Sequence, residues 1–231
     1  MLQQIQVITL VLAAVCNLVM SITISTRGWK NPIYRYFSLM TFLNVLWALG
    51  LLIFNVSNNP EIVRFFVSFI YLAALLVVLN LFYFAWYFPF KIFHFDKIWQ
   101  NILTIIIFIY SLYFIFFYKQ FIISVDVVGQ NDCVFNFVPY NIFSIVLSIL
   151  MLGGIGILFI KYFRAEKIFK KSILLILLSV IIGAVAGFYF NLFSMYVDQF
   201  NNYHLGPLFT LAINFVAFYL IFSKRDKQIE Y

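Results

Sequence analysis

Long apolar runs alternate with short polar segments along the whole chain. The runs are continuous and lack the period of two that a half-buried strand needs. Each is long enough to cross a bilayer core of about 30 Å as a helix of roughly 20 residues. Lipid offers the backbone no hydrogen-bond partners, so only helices and closed barrels span it, and the continuous pattern selects helices. Seven spans are expected, over residues 4–24, 33–54, 62–88, 98–118, 138–160, 172–196 and 205–223. The first has no positive segment before it and is longer than the core of a signal peptide, so it reads as a retained span. The expected fold is an all-α integral membrane protein, a seven-transmembrane helix bundle. Residues 1–223 make one domain, and 224–231 make a basic tail or the start of a signalling helix.

The polar segments orient the bundle. One set holds Arg27, Lys30 and Arg35, then Lys91 and Lys97, then Lys161, Arg164, Lys167, Lys170 and Lys171, then Lys224, Arg225 and Lys227. Thirteen of the 15 basic residues thus lie on one side, and only Arg64 and Lys119 lie on the other. Basic residues next to spans stay on the cytoplasmic side, which puts the amino terminus outside and the carboxyl terminus in the cytoplasm of the cell membrane. Six or eight spans would break this partition.

Composition agrees with the pattern. The 231 residues are 65% hydrophobic and 10% charged, against roughly 25% charged in soluble domains. The net charge of +7 is confined to loops and does not signal nucleic acid. Two cysteines, Cys16 and Cys133, make no disulfide framework, and the single His94 and His204 fall on opposite sides of the bilayer, so no metal site is expected.

The outward segments differ from one another. Residues 55–61 and 198–204 are short and polar. Residues 119–137 are longer: a β-branched stretch at 121–128, a turn-like Gly129, Gln130, Asn131 and Asp132, and a second strand-like stretch at 133–138. This predicts an extracellular β-hairpin between the fourth and fifth spans, either a lid over the bundle mouth or a connector resting on headgroups. Gly183 and Gly187 have the small-xxx-small spacing that lets helices approach closely.

No Asp, Glu, Lys or Arg falls in the middle of a span. That argues against a proton pump or ion-coupled transporter, which needs buried ionisable groups. The seventh span has no Lys for a retinal Schiff base, and no His pair, Ser–His pair or Asp pair suggests an intramembrane protease. No enzymatic activity and no cofactor are expected of this chain. The polar groups within spans are amides: Asn17, Asn44, Asn80, Asn191 and Asn214. Interhelical hydrogen bonding is the favoured role for each. In the outer half of the bundle stand Tyr71, Tyr140, Asn141, Asn191, Tyr196, Asp198 and His204, with Pro207 beside them and Trp47 a little past the middle of the second span. Ligand pockets combine apolar walls with a few converging polar groups, so these residues are candidate ligand-binding positions. An ordinary aromatic belt with loop caps is the alternative.

Some short motifs carry a family likeness. The second span has Asn31, Pro32 and Arg35 at its inner start and Trp47, Ala48, Leu49 and Gly50 further out; the seventh begins Leu205, Gly206, Pro207, Leu208 and runs through 218–222 into basic residues; the sixth has an outer Asn191. In layout the chain resembles the amino-terminal seven-transmembrane region of bacterial membrane sensor histidine kinases. The resemblance implies a receptor module whose seventh helix continues into a cytoplasmic signalling domain. It implies that Arg35 holds the second span's inner end by snorkelling to phosphates, that Trp47 and Gly50 pack the bundle, and that Pro207 shapes the start of the seventh helix. The chain has no phosphoacceptor His segment and no ATP-binding lobe, so the sensor portion of a longer kinase or a stand-alone relative is expected.

The expected function is signal transduction: a stimulus acting on the outer half of the bundle is passed through the seventh helix. A small-solute or lipid transporter and a structural membrane protein are the alternatives. Expected partners are the lipid bilayer, an unidentified small-molecule or lipid ligand, a cytoplasmic signalling domain or partner protein, and a second copy of the chain.

Overall fold

A computed structural model describes residues 2–92, 97–126, 132–189 and 205–223. The helices are α1 (Leu2–Gly28), α2 (Pro32–Val56), α3 (Pro60–Tyr87), α4 (Lys97–Phe116), the short α5 (Tyr118–Phe121), α6 (Phe137–Arg164), α7 (Lys167–Gly187) and α8 (Leu205–Ser223). Six of them are long and apolar enough to cross a membrane, and α8 is a shorter apolar helix. Together they fit a seven-transmembrane all-α bundle.

The helix starts follow from local sequence. Asn31 and Asn59 each precede a proline and accept hydrogen bonds from the amides of the first turn, Ile33 N–H at 2.9 Å and Glu61 N–H at 3.0 Å. Proline at the first helical position costs nothing there, because its missing N–H would have had no partner within the helix. Asn136 caps α6 in the same way.

Helices α1, α2, α3, α6, α7 and α8 pack as a ring in which α8 returns to α1 and α2, while α4 lies outside against α3. A close approach fixes three of these contacts. A Cβ on Gly50 would stand 3.0 Å from Ile70 Cγ1, and one on Gly153 3.0 Å from Phe82 Cε2; one on Gly183 would collide with Ile213 Cδ1. Hence α2 meets α3, α3 meets α6, and α7 meets α8 at their glycines. Gly187 has open space where its Cβ would be. Of the small-xxx-small pair, only Gly183 serves close packing.

Buried amides and hydroxyls join helices as well. Ser21 and Ser38 bond each other's backbone carbonyls at 3.0 Å, clasping α1 to α2. Asn214 Nδ2 donates to Asn17 Oδ1 at 2.6 Å, tying α8 to α1. Tyr83 and Tyr87 donate to Gln100, tying α3 to α4. Asn80 instead bonds the Leu76 carbonyl of its own helix. The outward faces carry exposed Ile8, Val15 and Ile22 on α1, Ile105 and Ile109 on α4, Ile149 and Leu152 on α6, and Ile182 and Val185 on α7. Apolar surface on every side of the molecule is what a bilayer covers. The protein is a multi-pass membrane protein.

Two strands follow α5. β1 (Ile122–Asp126) and β2 (Asp132–Phe135) pair antiparallel, with Val125 opposite Cys133. The turn between them lies outside the described residues. The sequence assigns Lys161 to a loop of exposed charge. The structure corrects this: Lys161 is in the last turn of α6 and is fully buried.

Candidate functional site

A cavity of about 100 Å³ lies where α2, α3, α6, α7 and α8 meet. α2 supplies its polar groups. Asn44 and Trp47, three residues apart, fall on one face of the helix and both line the cavity. Asn44 is completely buried, yet neither Oδ1 nor Nδ2 has a hydrogen-bond partner, and Trp47 Nε1 has none. An unpaired buried polar group costs about 1–3 kcal/mol. Such groups call for an explanation, and a bound partner is one. The other polar side chains in the wall are engaged: Thr210 donates to the Pro207 carbonyl at 2.8 Å and Asn214 to Asn17. Apart from the Tyr71 phenol the remaining wall is apolar, with Leu51, Phe54, Val78, Leu81, Leu147 and Met151 among its residues.

Of the candidate positions read from sequence, Trp47 and Tyr71 both line this cavity. Tyr140 does not line it but packs edge-on against Tyr71, ring centroids 6.0 Å apart. Asn141 is also outside the wall; its amide donates to the Phe137 carbonyl of its own helix at 2.8 Å. Asn191, Tyr196, Asp198 and His204 lie outside the described residues. Gly183 and Gly187 line the cavity, and Pro207 is buried in the first turn of α8, where its missing N–H disturbs no helical bond. Arg35 lies over the Tyr36 ring at 5.0 Å and donates to its hydroxyl. Asn44 and Thr210 join the site from outside the list of candidate ligand residues. Nothing in the sequence separates Asn44 from Asn17, which is paired across helices.

Tyr71 connects the cavity to the strand pair. Its ring packs against Phe121 and Phe135, which flank and end the strands, at 5.1 and 5.2 Å, and against Phe114 and Phe143. Glu61, in the first turn of α3, holds the same region by ion pairs to Arg64 and Lys119, each 3.1 Å. Its hydrogen bond and negative charge raise the Lys119 ammonium above the ordinary lysine range.

At the other end of α3 the last carbonyls receive a cation. Lys161 Nζ donates to the carbonyls of Ala85, Trp86 and Phe88 at 2.8, 2.6 and 2.7 Å. The final carbonyls of a helix have no partner within it and carry the negative end of its dipole. A buried ammonium there is a cap, and it locks α6 onto α3.

The described residues form a membrane-spanning helix bundle with a small cavity whose wall carries two unpaired polar side chains, Asn44 and Trp47, and no cluster of metal ligands occurs among them. The model for the N-terminal 7TM region of histidine kinase matches residues 9–226, nearly the whole chain, and the chain belongs to this family. No curated protein matches it. The family is one of membrane sensor modules.

Proposed function

We propose that the chain is the sensor module of a two-component signalling system in the cell membrane, with its amino terminus outside and its carboxyl terminus in the cytoplasm. The charge partition supports this orientation. It puts the β1–β2 hairpin on the extracellular side, where Glu61, Lys119 and Tyr71 hold it against α3. Residues 1–223 are the sensor domain, and the segment from 224 leads to a fused or partner cytoplasmic signalling domain.

The observation that carries the reading is the unpaired Asn44 amide at a cavity shared by five helices, α8 among them. A ligand there shifts the bundle between helix arrangements by its difference in affinity for them. α8 contributes Ile213 and Asn214 to the wall, so an occupant acts on the helix that leaves the membrane last. Tyr71, Tyr140 and the hairpin respond to the same cavity through ring packing.

The test is a distance between spin labels at Phe163→Cys on α6 and Tyr219→Cys on α8, both exposed positions, in a background free of Cys16 and Cys133. Filling the cavity by Ala74→Phe should change the distance distribution in lipid nanodiscs, while Ile149→Phe on the exposed side of α6 should not. The reading fails if both substitutions leave the distribution as it was.

A further inference from the structure

The chemistry of the cavity restricts what enters it. None of its described lining residues is ionisable apart from the phenol of Tyr71. A charge brought into such surroundings without a partner costs several kcal/mol at least, so the occupant is neutral. Water alone is a poor filling. About 100 Å³ is room for several molecules, each of which needs two to four polar partners. Among the described lining side chains, the buried polar atoms without a hydrogen-bond partner are those of the Asn44 amide and the Trp47 N–H. Most waters would face hydrocarbon.

These two side chains also specify a functional group. Asn44 Nδ2 and Trp47 Nε1 donate, and Asn44 Oδ1 accepts, all within one turn of α2. A hydroxyl has one hydrogen to give and two lone pairs to receive, and so answers all three. Size sets the rest: an apolar cavity of about 150 Å³ holds one benzene ring, and this cavity is somewhat smaller. Met40 and Met151 in the wall adapt to irregular shapes.

Building on the reading of this cavity as the sensor's ligand site, we infer that its ligand is a compact neutral alcohol or phenol. The body is no larger than a single ring or a short branched chain, and the hydroxyl sits between Asn44 and Trp47. Phosphate esters and carboxylates are excluded because the wall offers their charge no partner.

The experiment is calorimetric titration of the full chain in nanodiscs with phenol, toluene and benzoate, each referenced to empty nanodiscs. Phenol and toluene have the same shape and differ by the hydroxyl. Phenol should bind about tenfold tighter than toluene, the scale of one or two net hydrogen bonds, and benzoate should not bind. Asn44→Leu should abolish the preference and Trp47→Phe, which keeps an aromatic ring, should reduce it about threefold; Ala74→Phe should abolish binding of both. Equal binding of phenol and toluene, lost in Ala74→Phe, overturns the hydroxyl assignment and leaves the cavity reading standing. Tightest binding by benzoate overturns neutrality. No binding by any of the three overturns the ligand class, and the spin-label distances then decide separately whether the cavity controls α8. A phospholipid that co-purifies with the wild type and is lost from Ala74→Phe also overturns the assignment, in favour of an acyl chain.

Discussion

Replacing Lys161 by Met removes an ammonium and keeps a flexible side chain of similar reach. The three carbonyls of Ala85, Trp86 and Phe88 lose their donor. Hydrogen bonds to a charged group contribute about 1.5–3 kcal/mol each, which gives roughly 5–9 kcal/mol for three. Against this stands relief from burying the ammonium, itself several kcal/mol. The difference is about 3 kcal/mol of lost stability, in the range expected when one side of a buried charged interaction is deleted. Lys161→Arg should lose part of this, because a planar guanidinium does not aim its donors at three converging carbonyls as an ammonium does. Lys171→Met, on the exposed side of α7, should change stability by less than about 0.5 kcal/mol. Unfolding by SDS in mixed micelles, followed by circular dichroism, reads all three. If Lys161→Met matches the wild type within about 0.5 kcal/mol, the cap does not hold α6 to α3 and the reasoning fails.

Other outcomes follow from the packing. Asn214→Leu should destabilise the bundle by about 1 kcal/mol, and a double-mutant cycle with Asn17→Leu should show coupling of roughly 0.5–1.5 kcal/mol, the scale of interhelical bonds in membranes; additive effects would deny the bond. Gly183→Ala should cost about 1–2 kcal/mol by driving a Cβ into Ile213, and its cost should be smaller in an Ile213→Val background, which lacks the δ1 carbon that the Cβ meets. Gly187→Ala, which meets open space, should change stability by less than about 0.5 kcal/mol or raise it through helix propensity. Equal costs at the two glycines would refute the assignment of the close approach to Gly183.

The helical runs were legible because length and hydropathy in lipid leave little choice. Expected and observed starts of α2, α3, α4 and α6 differ by one or two residues, and the asparagine–proline caps at 31 and 59 account for two of them; α7 begins at Lys167, five residues before the expected 172, so Lys167, Lys170 and Lys171 belong to its first turns and not to a loop. The β-branched stretches around Val125 and Cys133 likewise indicated the strands that pair. What escaped the sequence was interaction with partners that have no side-chain signature. Lys161 looks like its neighbour Lys167, but its acceptors are main-chain carbonyls 73 to 76 residues earlier. Asn17, Asn44, Asn80 and Asn214 are alike in sequence, yet two pair across helices, one bonds its own helix and one is unpaired at the cavity. Adjacent residues Tyr140 and Asn141 were read together, but a helix turns about 100° between them, so one packs on Tyr71 and the other faces away from the core.

The orientation of the bundle underlies the sensor reading and is open to direct measurement. In cells expressing variants free of native cysteines, a membrane-impermeant maleimide added outside should label Asn131→Cys and Asn201→Cys. Glu166→Cys, in the turn between α6 and α7, should react only after the membrane is opened. Labelling of Glu166→Cys in intact cells, or protection of both asparagine positions, would contradict the account.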